Sequence, residues 1–219
     1  MRLFKRVISQ ISEDINTIYE KDPAAENILE VILCYPGLHA LIAHRVAHKL
    51  QYWKIPFIPR FISFIMRFLT GIEIHPGATI GRRFFIDHGM GVVIGATTII
   101  GDDVLIYKGV TLGGTGKEVG KRHPTIDSNV VVGSGAKVLG NIVVGSNSRI
   151  GAGSVVIDDV PPNSTVVGVP GRVVQQKVMV QGQLLHNRIP DPVACQLNRL
   201  TYEVKEIKEM LQNIKKDEI

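Results

Sequence analysis

The hydrophobic positions of this chain follow two different periods. In residues 1–70, apolar side chains recur three and four positions apart, the spacing of one face of an α-helix. In residues 72–160, they recur at every sixth position instead. The six-residue series run through Ile74, Ile80, Ile86 and Val92, then Ile94, Ile100, Ile106 and Leu112, then Ile126, Val132, Val138, Val144, Ile150 and Val156. The two periods predict a helical N-terminal region followed by a repeat architecture.

Several breaks divide the N-terminal region into helices. The first helical pattern covers residues 3–15, and Asp22-Pro23 predicts the start of a second helix, with Asp as the N-cap and Pro at the first position. This second helix is expected to reach about residue 35, where "YPG" interrupts the pattern. A further helix is predicted in "LHALIAHRVAHKLQYW", and the prolines of "IPFIPR" mark the next break.

Each six-residue unit of the second region is predicted to be a short strand followed by a turn. The apolar residue points inward, and Gly or Asn takes the turn conformations that other residues resist. One unit cannot bury its apolar face alone, so successive coils must stack. The period is suspended by "GGTGKEVGKRHPT", and a loop that leaves a regular solenoid is where function tends to lie.

These patterns predict an α+β protein of three parts. Residues 1–70 form a helical domain, residues 71–175 form a parallel β-helix with an excursion loop at 113–125, and residues 176–219 form a tail with a helix at about 193–215. Within the tail, apolar residues alternate at spacings of three and four, a heptad pattern that suits packing on a neighbouring subunit or on its own domain. They are Leu197, Leu200, Val204, Ile207, Leu211 and Ile214.

Composition and charge exclude several classes of protein. The 219 residues carry 25 Lys and Arg against 20 Asp and Glu, a net charge of +5, without the basic and aromatic stripe of a nucleic-acid-binding protein. An anionic cofactor explains the mild excess of positive charge. Cys34 and Cys195 are too few and too far apart for a disulfide framework. "MRLFKRVISQISEDI" lacks the features of a secretory signal, and prolines and arginines interrupt the most apolar stretch, so we expect a cytoplasmic protein that does not enter the membrane.

Candidate catalytic groups lie in the turns of the repeat and in the excursion loop. His75 and the pair Asp87-His88 follow inward-facing isoleucines, and their separation of thirteen residues allows them to meet on adjacent coils. The alternative is that they are ordinary polar residues of a solenoid surface. Arg122-His123 lies in the loop, where a guanidinium offers a planar fork for a carboxylate or phosphate, or is simply a solvated cation.

Two metal motifs and one phosphate motif fail on inspection. His75, His88 and His123 would suit zinc, but the His-x4-His pair of the γ-type carbonic anhydrases is missing from the repeat. "HRVAH" has Arg where a zincin needs Glu, and "GGTGK" lacks the spacing and the Ser or Thr of a P-loop. We therefore expect no metal.

The joint pattern resembles a known family. "EIHPGATIGRRFFIDHGMGVVIGATTIIGDDV", "GVTLGGTGKEVGKRHPTI", "VVVGSGAKVLGNIVVGSNSRIGAGSVV" and "VPPNSTVVGVPGRVV" resemble the serine O-acetyltransferases, which are left-handed parallel β-helix enzymes of the hexapeptide-repeat acyltransferases. The resemblance covers residues 20–175 or so, and the blocks "DHG", "TLGGTGK" and "RHP" in this order are highly specific. It implies transfer of acetyl from acetyl-CoA to the hydroxyl of L-serine in cysteine biosynthesis.

The resemblance also implies a role for each matching residue. His88 would be the general base, and Glu73, where many members have Asp, would orient the His88 ring. The serine ammonium would be held by Asp22 and Asp87. The serine carboxylate would be held by Arg122, with His123 next to the hydroxyl. Acetyl-CoA would lie in a groove between subunits. Gly114, Ser134 and Ala152 match positions whose backbone contacts the cofactor, and Arg172 would contact a phosphate of CoA.

The resemblance further implies an assembly and partners. The chain would form a homotrimer or a dimer of trimers, and L-cysteine would act as a feedback inhibitor in the serine clamp. Ile219 would dock into the active site of O-acetylserine sulfhydrylase, because a free carboxylate and an apolar side chain can be captured together.

The sequence departs from the family pattern at three places, of which Ala96 and Lys108 bear on the rate and the third on the assembly, and two rival functions stay open. Ala96 replaces the glutamate of the usual "GET", Lys108 stands where Gln is often found, and the helical region is shorter than in the enteric enzymes. The rivals are acetyl transfer to another hydroxyl or amine acceptor, and a catalytically weakened regulatory or scaffold subunit.

Overall fold

Four helices precede the repeat region in the computed structural model, which describes residues 2–116, 119–175, 197 and 199–208. They are α1 (Arg2–Lys21), α2 (Ile28–Cys34), α3 (Pro36–Tyr52) and α4 (Ile58–Thr70). Pro36 lies in the first turn of α3, where the missing N–H of proline leaves no helical hydrogen bond unmade. The predicted interruption at "YPG" is therefore confirmed.

The predicted helix start at Asp22-Pro23 is wrong. Asp22 instead follows the last turn of α1, where its backbone N–H donates to the carbonyl of Ile18 over 2.8 Å. Asn27 is the N-cap of α2, and its side chain accepts a hydrogen bond of 2.8 Å from the backbone N–H of Leu29. The Asp22 side chain caps no helix and remains available for another role, because Asn27 satisfies the start of α2.

Short strands follow from residue 73 onwards. They are β1 (Glu73–Ile74), β2 (Thr79–Ile80), β3 (Phe85–Asp87), β4 (Val93–Ile94), β5 (Ile99–Ile100), β6 (Leu105–Tyr107), β7 (Thr111–Gly113), β8 (Thr125–Ile126), β9 (Val131–Val132), β10 (Lys137–Leu139), β11 (Val143–Val144), β12 (Arg149–Ile150), β13 (Val155–Val156), β14 (Thr165–Val167) and β15 (Arg172–Gln175). Every strand pairing is parallel except that of β14 with β15.

Three parallel sheets form the faces of a solenoid. Sheet A contains β1, β4, β7, β10 and β13, sheet B contains β2, β5, β8 and β11, and sheet C contains β3, β6, β9, β12, β14 and β15. Each coil visits the sheets in the order A, B, C. The residues of the six-residue series point inward and are buried, with only Ile80 partly exposed. A second inward set lies two residues before them and includes Ala78, Val104, Val110, Val130 and Ala136.

The coils differ in length, and the differences fall at three places. Ile126 pairs with Val144, eighteen positions on, which is three six-residue units. Ile74 pairs with Ile94, twenty positions on, so the first coil has two extra residues. Ile100 pairs with Ile126, twenty-six positions on, because the excursion loop lies between β7 and β8. Ile150 pairs with Val166 and Val144 bridges to Val160, each sixteen positions on, so the last coil is two residues shorter than the regular eighteen.

A second core joins the helices to the solenoid. Phe85, Leu105 and Val131 project outward from sheet C and are buried beneath the helices, together with Ile18 of α1 and Leu38 of α3. In this way the apolar outer face of sheet C fixes the end of α1 and the start of α3 against the solenoid.

Close backbone contact and ion pairs reinforce this junction. Gly37 of α3 lies so near β3 that a Cβ atom there would be 2.4 Å from the carbonyl oxygen of Ile86, so the close approach requires glycine. Arg82 pairs with Glu13 of α1, Nη2 to Oε1 2.6 Å, and Arg83 pairs with Glu20.

An asparagine ladder runs along the turns between sheets B and C. Asn129, Asn147 and Asn163 all have positive φ, of 60°, 61° and 58°. The Asn129 amide donates to the Asn147 Oδ1 over 2.7 Å, and the Asn147 amide donates to the Asn163 Oδ1 over 3.1 Å. Asparagine suits this column because it tolerates the left-handed conformation and links one coil to the next.

Helices followed by a parallel β-helix of six-residue repeats confirm the predicted fold class. The described part of the tail, 199–208, is helical, and its apolar residues Leu200, Val204 and Ile207 are exposed. The remainder of the predicted tail helix, with Cys195 and Ile219, lies outside the described residues. No helix among the described residues is both long and apolar enough to span a bilayer.

Candidate active site

Two edges of the solenoid carry the predicted catalytic and binding residues. Asp87 is the last residue of β3, and His88 follows it in the turn that leads from sheet C to sheet A. We call this line of turns, with the strand ends beside it, the His88 edge. The turns that lead from sheet A to sheet B contain His75, after β1, and Arg122 with His123, before β8. We call this second line the His123 edge. His75 and His88 therefore lie on different edges, and the expectation that they meet on adjacent coils is wrong.

His88 projects from its edge into the open. Its side chain is 73% exposed, and its backbone has φ 58°, a left-handed conformation that is uncommon for residues other than glycine. The neighbouring Asp87 carboxylate lies 3.7 Å away, Oδ1 to the His88 Nε2. An exposed imidazole beside a carboxylate can take and return protons.

His88 and Gly89 are the two extra residues of the first coil. Asp87 pairs with Tyr107 in the next coil, but the N–H of Gly109 donates to the carbonyl of Met90 over 2.9 Å. His88 and Gly89 thus have no counterparts between Tyr107 and Lys108. The deviation from period six that the sequence displays at this point is the insertion that carries the imidazole.

Asp22 completes a pair of carboxylates near this edge. The Tyr35 hydroxyl donates to the Asp22 Oδ2 over 2.8 Å, and the backbone N–H of Ala24 donates to the Asp22 Oδ1 over 2.9 Å. Because Tyr35 lies at the start of α3, the second core holds both residues against β3.

The electrostatics show that Asp22 and Asp87 share one environment. Burial raises the pKa of the Asp87 carboxyl, and the Asp22 charge raises it further, while His88 and Lys108 oppose the increase. Burial raises the pKa of Tyr107, and Asp87 and Asp22 add to that increase. A positively charged group bound between the carboxylates would relieve their repulsion, so the arrangement suits an ammonium.

His123 is held at the other edge by Thr97. The ring is buried, with 8% of the residue exposed. Its Nδ1 lies 2.8 Å from the Thr97 Oγ1 and 3.3 Å from the Thr97 backbone N. The Thr97 hydroxyl also accepts hydrogen bonds from the backbone N–H groups of Arg122, at 3.0 Å, and His123, at 3.2 Å. Arg122 and His123 are therefore hydrogen-bonded to the preceding coil, through Thr97 between β4 and β5.

The ring of His123 lies over Gly95. A Cβ atom at Gly95 would be 1.9 Å from the His123 Cδ2, so no larger residue fits while the ring is in place. Burial lowers the pKa of His123, and the Arg122 and Lys121 charges lower it further. Burial also lowers the pKa of His75, to about 4, with Arg60, His123 and Arg122 contributing. Both imidazoles are neutral near pH 7, and the Arg122 and Lys121 charges beside His123 suit a carboxylate.

Glu73 has different partners from the predicted one. Its carboxylate pairs with two arginines of α4, with the Arg67 Nη1 at 3.1 Å and the Arg60 Nη2 at 3.9 Å. The ion pair that the structure gives His88 is with Asp87. Orientation of the His88 ring by Glu73 therefore stays a prediction.

Three of the four predicted cofactor residues lie on the same two edges. Ser134 and Ala152 lie on the His88 edge, and backbone hydrogen bonds connect Met90, Lys108 and Ser134 to the three glycines of successive coils, Gly109, Gly135 and Gly153. Gly114 follows β7 at the His123 edge. Arg172 begins β15, the antiparallel strand at the end of sheet C.

Some residues of the site escaped the sequence analysis. The sequence patterns single out none of Tyr35, Tyr107, Thr97 and Gly95 as a site residue. Their contacts depend on the stacking of coils and on the docking of α3, which a linear pattern does not specify.

No cluster of three or more histidine, cysteine or carboxylate side chains that could hold a metal ion occurs in the described ranges. The predicted site residues of the two edges carry carboxylates, imidazoles and a guanidinium.

Short parallel strands at period six, stacked in three sheets with reactive groups in the turns, define a hexapeptide-repeat transferase. The family model "Bacterial transferase hexapeptide (six repeats)" matches residues 123–158, and the model "Serine acetyltransferase, N-terminal" matches residues 3–43. A serine acetyltransferase of Bacillus subtilis (strain 168) is 59% identical over 206 residues, which are 94% of this chain and 95% of the relative. The chain belongs to the serine acetyltransferase family.

Three similar solved structures contain bound ligands. The serine acetyltransferase of Neisseria gonorrhoeae in complex with serine has a TM-score of 0.75 at 42% identity, over 78% of this chain and 70% of that chain. The serine acetyltransferase of Brucella abortus strain S19 in complex with coenzyme A has a TM-score of 0.74 at 43% identity, over 76% and 66%. A serine acetyltransferase in complex with cysteine has a TM-score of 0.76 at 40% identity, over 78% and 71%.

Proposed function

We propose that this protein transfers the acetyl group of acetyl-CoA to the hydroxyl of L-serine, giving O-acetylserine and CoA, the first step of cysteine biosynthesis. The observation that carries the proposal is the pair of carboxylates, Asp22 and Asp87, beside the exposed imidazole of His88. A cationic amine bound there would bring its own hydroxyl close to a base. Family membership and the serine and coenzyme A complexes of similar structures support this assignment.

The reaction follows from the residues in this arrangement. The His88 imidazole takes the proton of the serine hydroxyl as its oxygen attacks the thioester carbonyl carbon. The tetrahedral intermediate then collapses, the carbon–sulfur bond breaks, and the CoA thiolate receives the proton from the imidazolium. An imidazole suits both transfers because its ordinary pKa lies near neutral pH. Asp22 and Asp87 bind the ammonium, and Arg122 binds the carboxylate.

The substrate clamp is divided between two edges, which supports a shared site. Asp87 and His88 belong to the His88 edge, whereas Arg122 and His123 belong to the His123 edge. The predicted cofactor contacts divide in the same way. A neighbouring subunit that brings its His123 edge against this chain's His88 edge completes both sets at once. A cyclic homotrimer, alone or as a dimer of trimers, satisfies this requirement at every interface.

Thiol release from acetyl-CoA tests the activity. The rate is measured with L-serine, then with hydroxyl-bearing sugars, then with no acceptor. Release that depends on serine supports the proposal. A preference for sugars would favour another acceptor, and no release with any acceptor would favour a regulatory or scaffold subunit, to which the departures at Ala96 and Lys108 would then be relevant.

Mixing two variants that are each impaired when serine is well below the KM of Arg122→Ala tests the shared site. His88→Ala and Arg122→Ala chains are co-expressed, and random assembly of a cyclic trimer regenerates both intact edges at about a quarter of the interfaces. We expect activity in the mixture well above that of either variant alone. If the mixture is no more active than its parents, each chain holds a complete site. Light scattering separates a trimer from a dimer of trimers.

L-cysteine is the proposed inhibitor. It differs from serine by sulfur in place of oxygen, so the same carboxylates and guanidinium can bind it, and one similar structure contains cysteine. We expect inhibition that raises the apparent KM for serine and is overcome by excess serine. Rates that do not respond to saturating cysteine would remove cysteine as a ligand of this site.

A complex with O-acetylserine sulfhydrylase through Ile219 is proposed from the sequence alone. An apolar side chain with a free carboxylate suits capture in a substrate pocket, and Asp217 and Glu218 can steer the association. Titration of the cognate sulfhydrylase with the full chain and with a chain lacking Ile219 decides the matter. Equal binding by both, or none by either, would contradict it. The cytoplasmic location also stays a prediction.

A further inference from the structure

The hydrogen bonds of Thr97 determine which nitrogen of His123 carries the proton. The Thr97 Oγ1 already accepts two backbone N–H groups, from Arg122 at 3.0 Å and from His123 at 3.2 Å. Because these donors occupy its acceptor sites, the hydroxyl proton is left to point elsewhere. The His123 Nδ1 lies 2.8 Å from the Oγ1 and is the acceptor in reach.

A second donor points at the same nitrogen. The backbone N–H of Thr97 donates to the His123 Nδ1 over 3.3 Å. Two donors converge on Nδ1, so this nitrogen presents a lone pair, and the proton of the neutral ring lies on Nε2.

The Nε2 atom is the free end of the ring. Within the described ranges, the hydrogen bonds of His123 involve its Nδ1 and its backbone, not its Nε2. The buried side-chain atoms without a partner in those ranges are the His44 Nδ1 and the Thr98 Oγ1, so the His123 Nε2 is not sealed from solvent. Gly95 beneath the ring permits this orientation.

We propose that Thr97 is a positioning residue that fixes His123 as the Nε2–H tautomer, so that His123 presents an N–H donor to an oxygen of the substrate and does not act as a second base. The proposal rests on the proposed function for the identity of the substrate, but the tautomer itself does not. His88 is then the proton acceptor of the site, and His123 orients the bound amino acid or stabilises developing negative charge on oxygen.

The matched variants are Thr97→Val, which removes the hydroxyl at similar volume, and Thr97→Ser, which keeps it. Thr79→Val is the control, because Thr79 is an exposed threonine of β2 on the same solenoid. Nitrogen-15 NMR of histidine side chains reports the tautomer of His123 near neutral pH, with the signal assigned by its loss in His123→Gln. We expect a protonated Nε2 and a bare Nδ1 in the wild type and in Thr97→Ser, and a changed pattern in Thr97→Val.

Kinetics supply the second readout. Loss of one oriented hydrogen bond predicts a fall of roughly tenfold in kcat/KM for serine in Thr97→Val, with the acetyl-CoA KM preserved, recovery in Thr97→Ser, and no effect of Thr79→Val. A protonated Nδ1 in the wild type would overturn the proposal, as would a Thr97→Val enzyme whose His123 signals and serine kinetics match the wild type.

A merely structural role has a different signature. If Thr97→Val weakens serine and acetyl-CoA alike while the His123 tautomer stays unchanged, Thr97 only supports the loop and the proposal fails. The wild-type spectrum decides the tautomer whether or not Thr97→Val folds. The spectrum reports the tautomer even if serine is not the substrate. A failure of the proposed function is therefore distinguishable from a failure of the tautomer assignment.

Discussion

The Tyr35 hydroxyl donates a hydrogen bond of 2.8 Å to the Asp22 carboxylate. It thereby links the start of α3 to the end of α1 at the point where both approach β3. Asp22 is consequently oriented by a residue that the family motifs of the sequence did not single out.

Tyr35→Phe is expected to weaken serine binding. The variant keeps the ring but leaves Asp22 without its side-chain donor, a loss of about 1 kcal/mol and so roughly a fivefold rise in the serine KM. The acetyl-CoA KM should not change. Tyr52→Phe is the matched control, because Tyr52 is an exposed tyrosine at the end of α3. Steady-state kinetics with each substrate varied in turn check the prediction, and an unchanged serine KM would contradict it.

His88→Ala is expected to abolish most acetyl transfer while the fold survives. General-base assistance contributes about 10²–10⁴-fold to the rate, whereas an exposed side chain contributes little to packing. Circular dichroism and binding of CoA should match the wild type, and kcat should fall by that factor. Near-normal turnover in the folded variant would remove His88 from the role of base.

Arg122→Ala is expected to raise the serine KM and to spare acetyl-CoA, because the guanidinium is assigned to the serine carboxylate. Arg122→Lys should recover only part of the affinity, since an ammonium lacks the planar fork. Arg82→Ala is the control. Arg82 lies in a turn between sheets B and C, away from both edges, and pairs with Glu13 of α1. A larger effect on acetyl-CoA than on serine would reassign Arg122 to the cofactor.

Acid should destabilise the protein through buried histidines. Burial lowers the pKa of His44 to about 3 from its usual 6.5, and the His48 and Arg45 charges act in the same direction. Below pH 6.5 the unfolded chain therefore binds a proton that the folded chain excludes. The contribution of neutral His44 to the free energy of unfolding is fully present above pH 6.5. It is lost as the pH falls toward 3, by at most about 1.4 kcal/mol per pH unit for one such group.

Denaturant unfolding at a series of pH values between 3 and 6.5, at fixed protein concentration, measures how steeply the free energy of unfolding changes with pH. His44→Gln is less stable at neutral pH but should lose stability less steeply on acidification than the wild type. Parallel pH profiles for the two proteins would show that His44 is not responsible. His75, whose pKa burial lowers to about 4, contributes a second slope of the same sign.

The asparagine ladder gives a test of stability away from the site. Asn147→Ala removes two side-chain hydrogen bonds and forces alanine into φ 61°, and we expect a loss of about 2 kcal/mol. Asn147→Gly loses the same hydrogen bonds but tolerates the backbone, so its loss should be about half as large. Thermal unfolding compares the two variants, and equal melting temperatures would show that the positive φ carries no cost.

The six-residue period was sufficient to predict the solenoid, because equivalent positions of successive coils have the same buried environment. The inward positions are buried from Ile74 to Val156 with only Ile80 partly exposed, and the two breaks in the period lie where Asp87-His88 and Arg122-His123 occur. The strict repeat therefore predicts which side chains are buried, and the two breaks in it indicate where the candidate site residues lie.

The remainder of the site depends on contacts that the linear pattern does not encode. Asp22-Pro23 has the composition of a helix start, yet Asn27 takes that role, and Asp22 is left to accept the Tyr35 hydroxyl. His75 and His88 are thirteen residues apart but lie on different edges, because each coil turns through three sheets. Glu73 meets Arg67 because α4 packs beside β1, a tertiary contact that the spacing of the repeat does not specify.

His88 and Gly89 have no counterparts in the next coil, so the scaffold does not need them. A coil of the regular length closes without the pair, and the sheets on either side keep their register. The reactive imidazole and the inward residues of the repeat therefore occupy separate positions of the chain. Deletion of these two residues is expected to remove the reactive imidazole and to leave a folded solenoid.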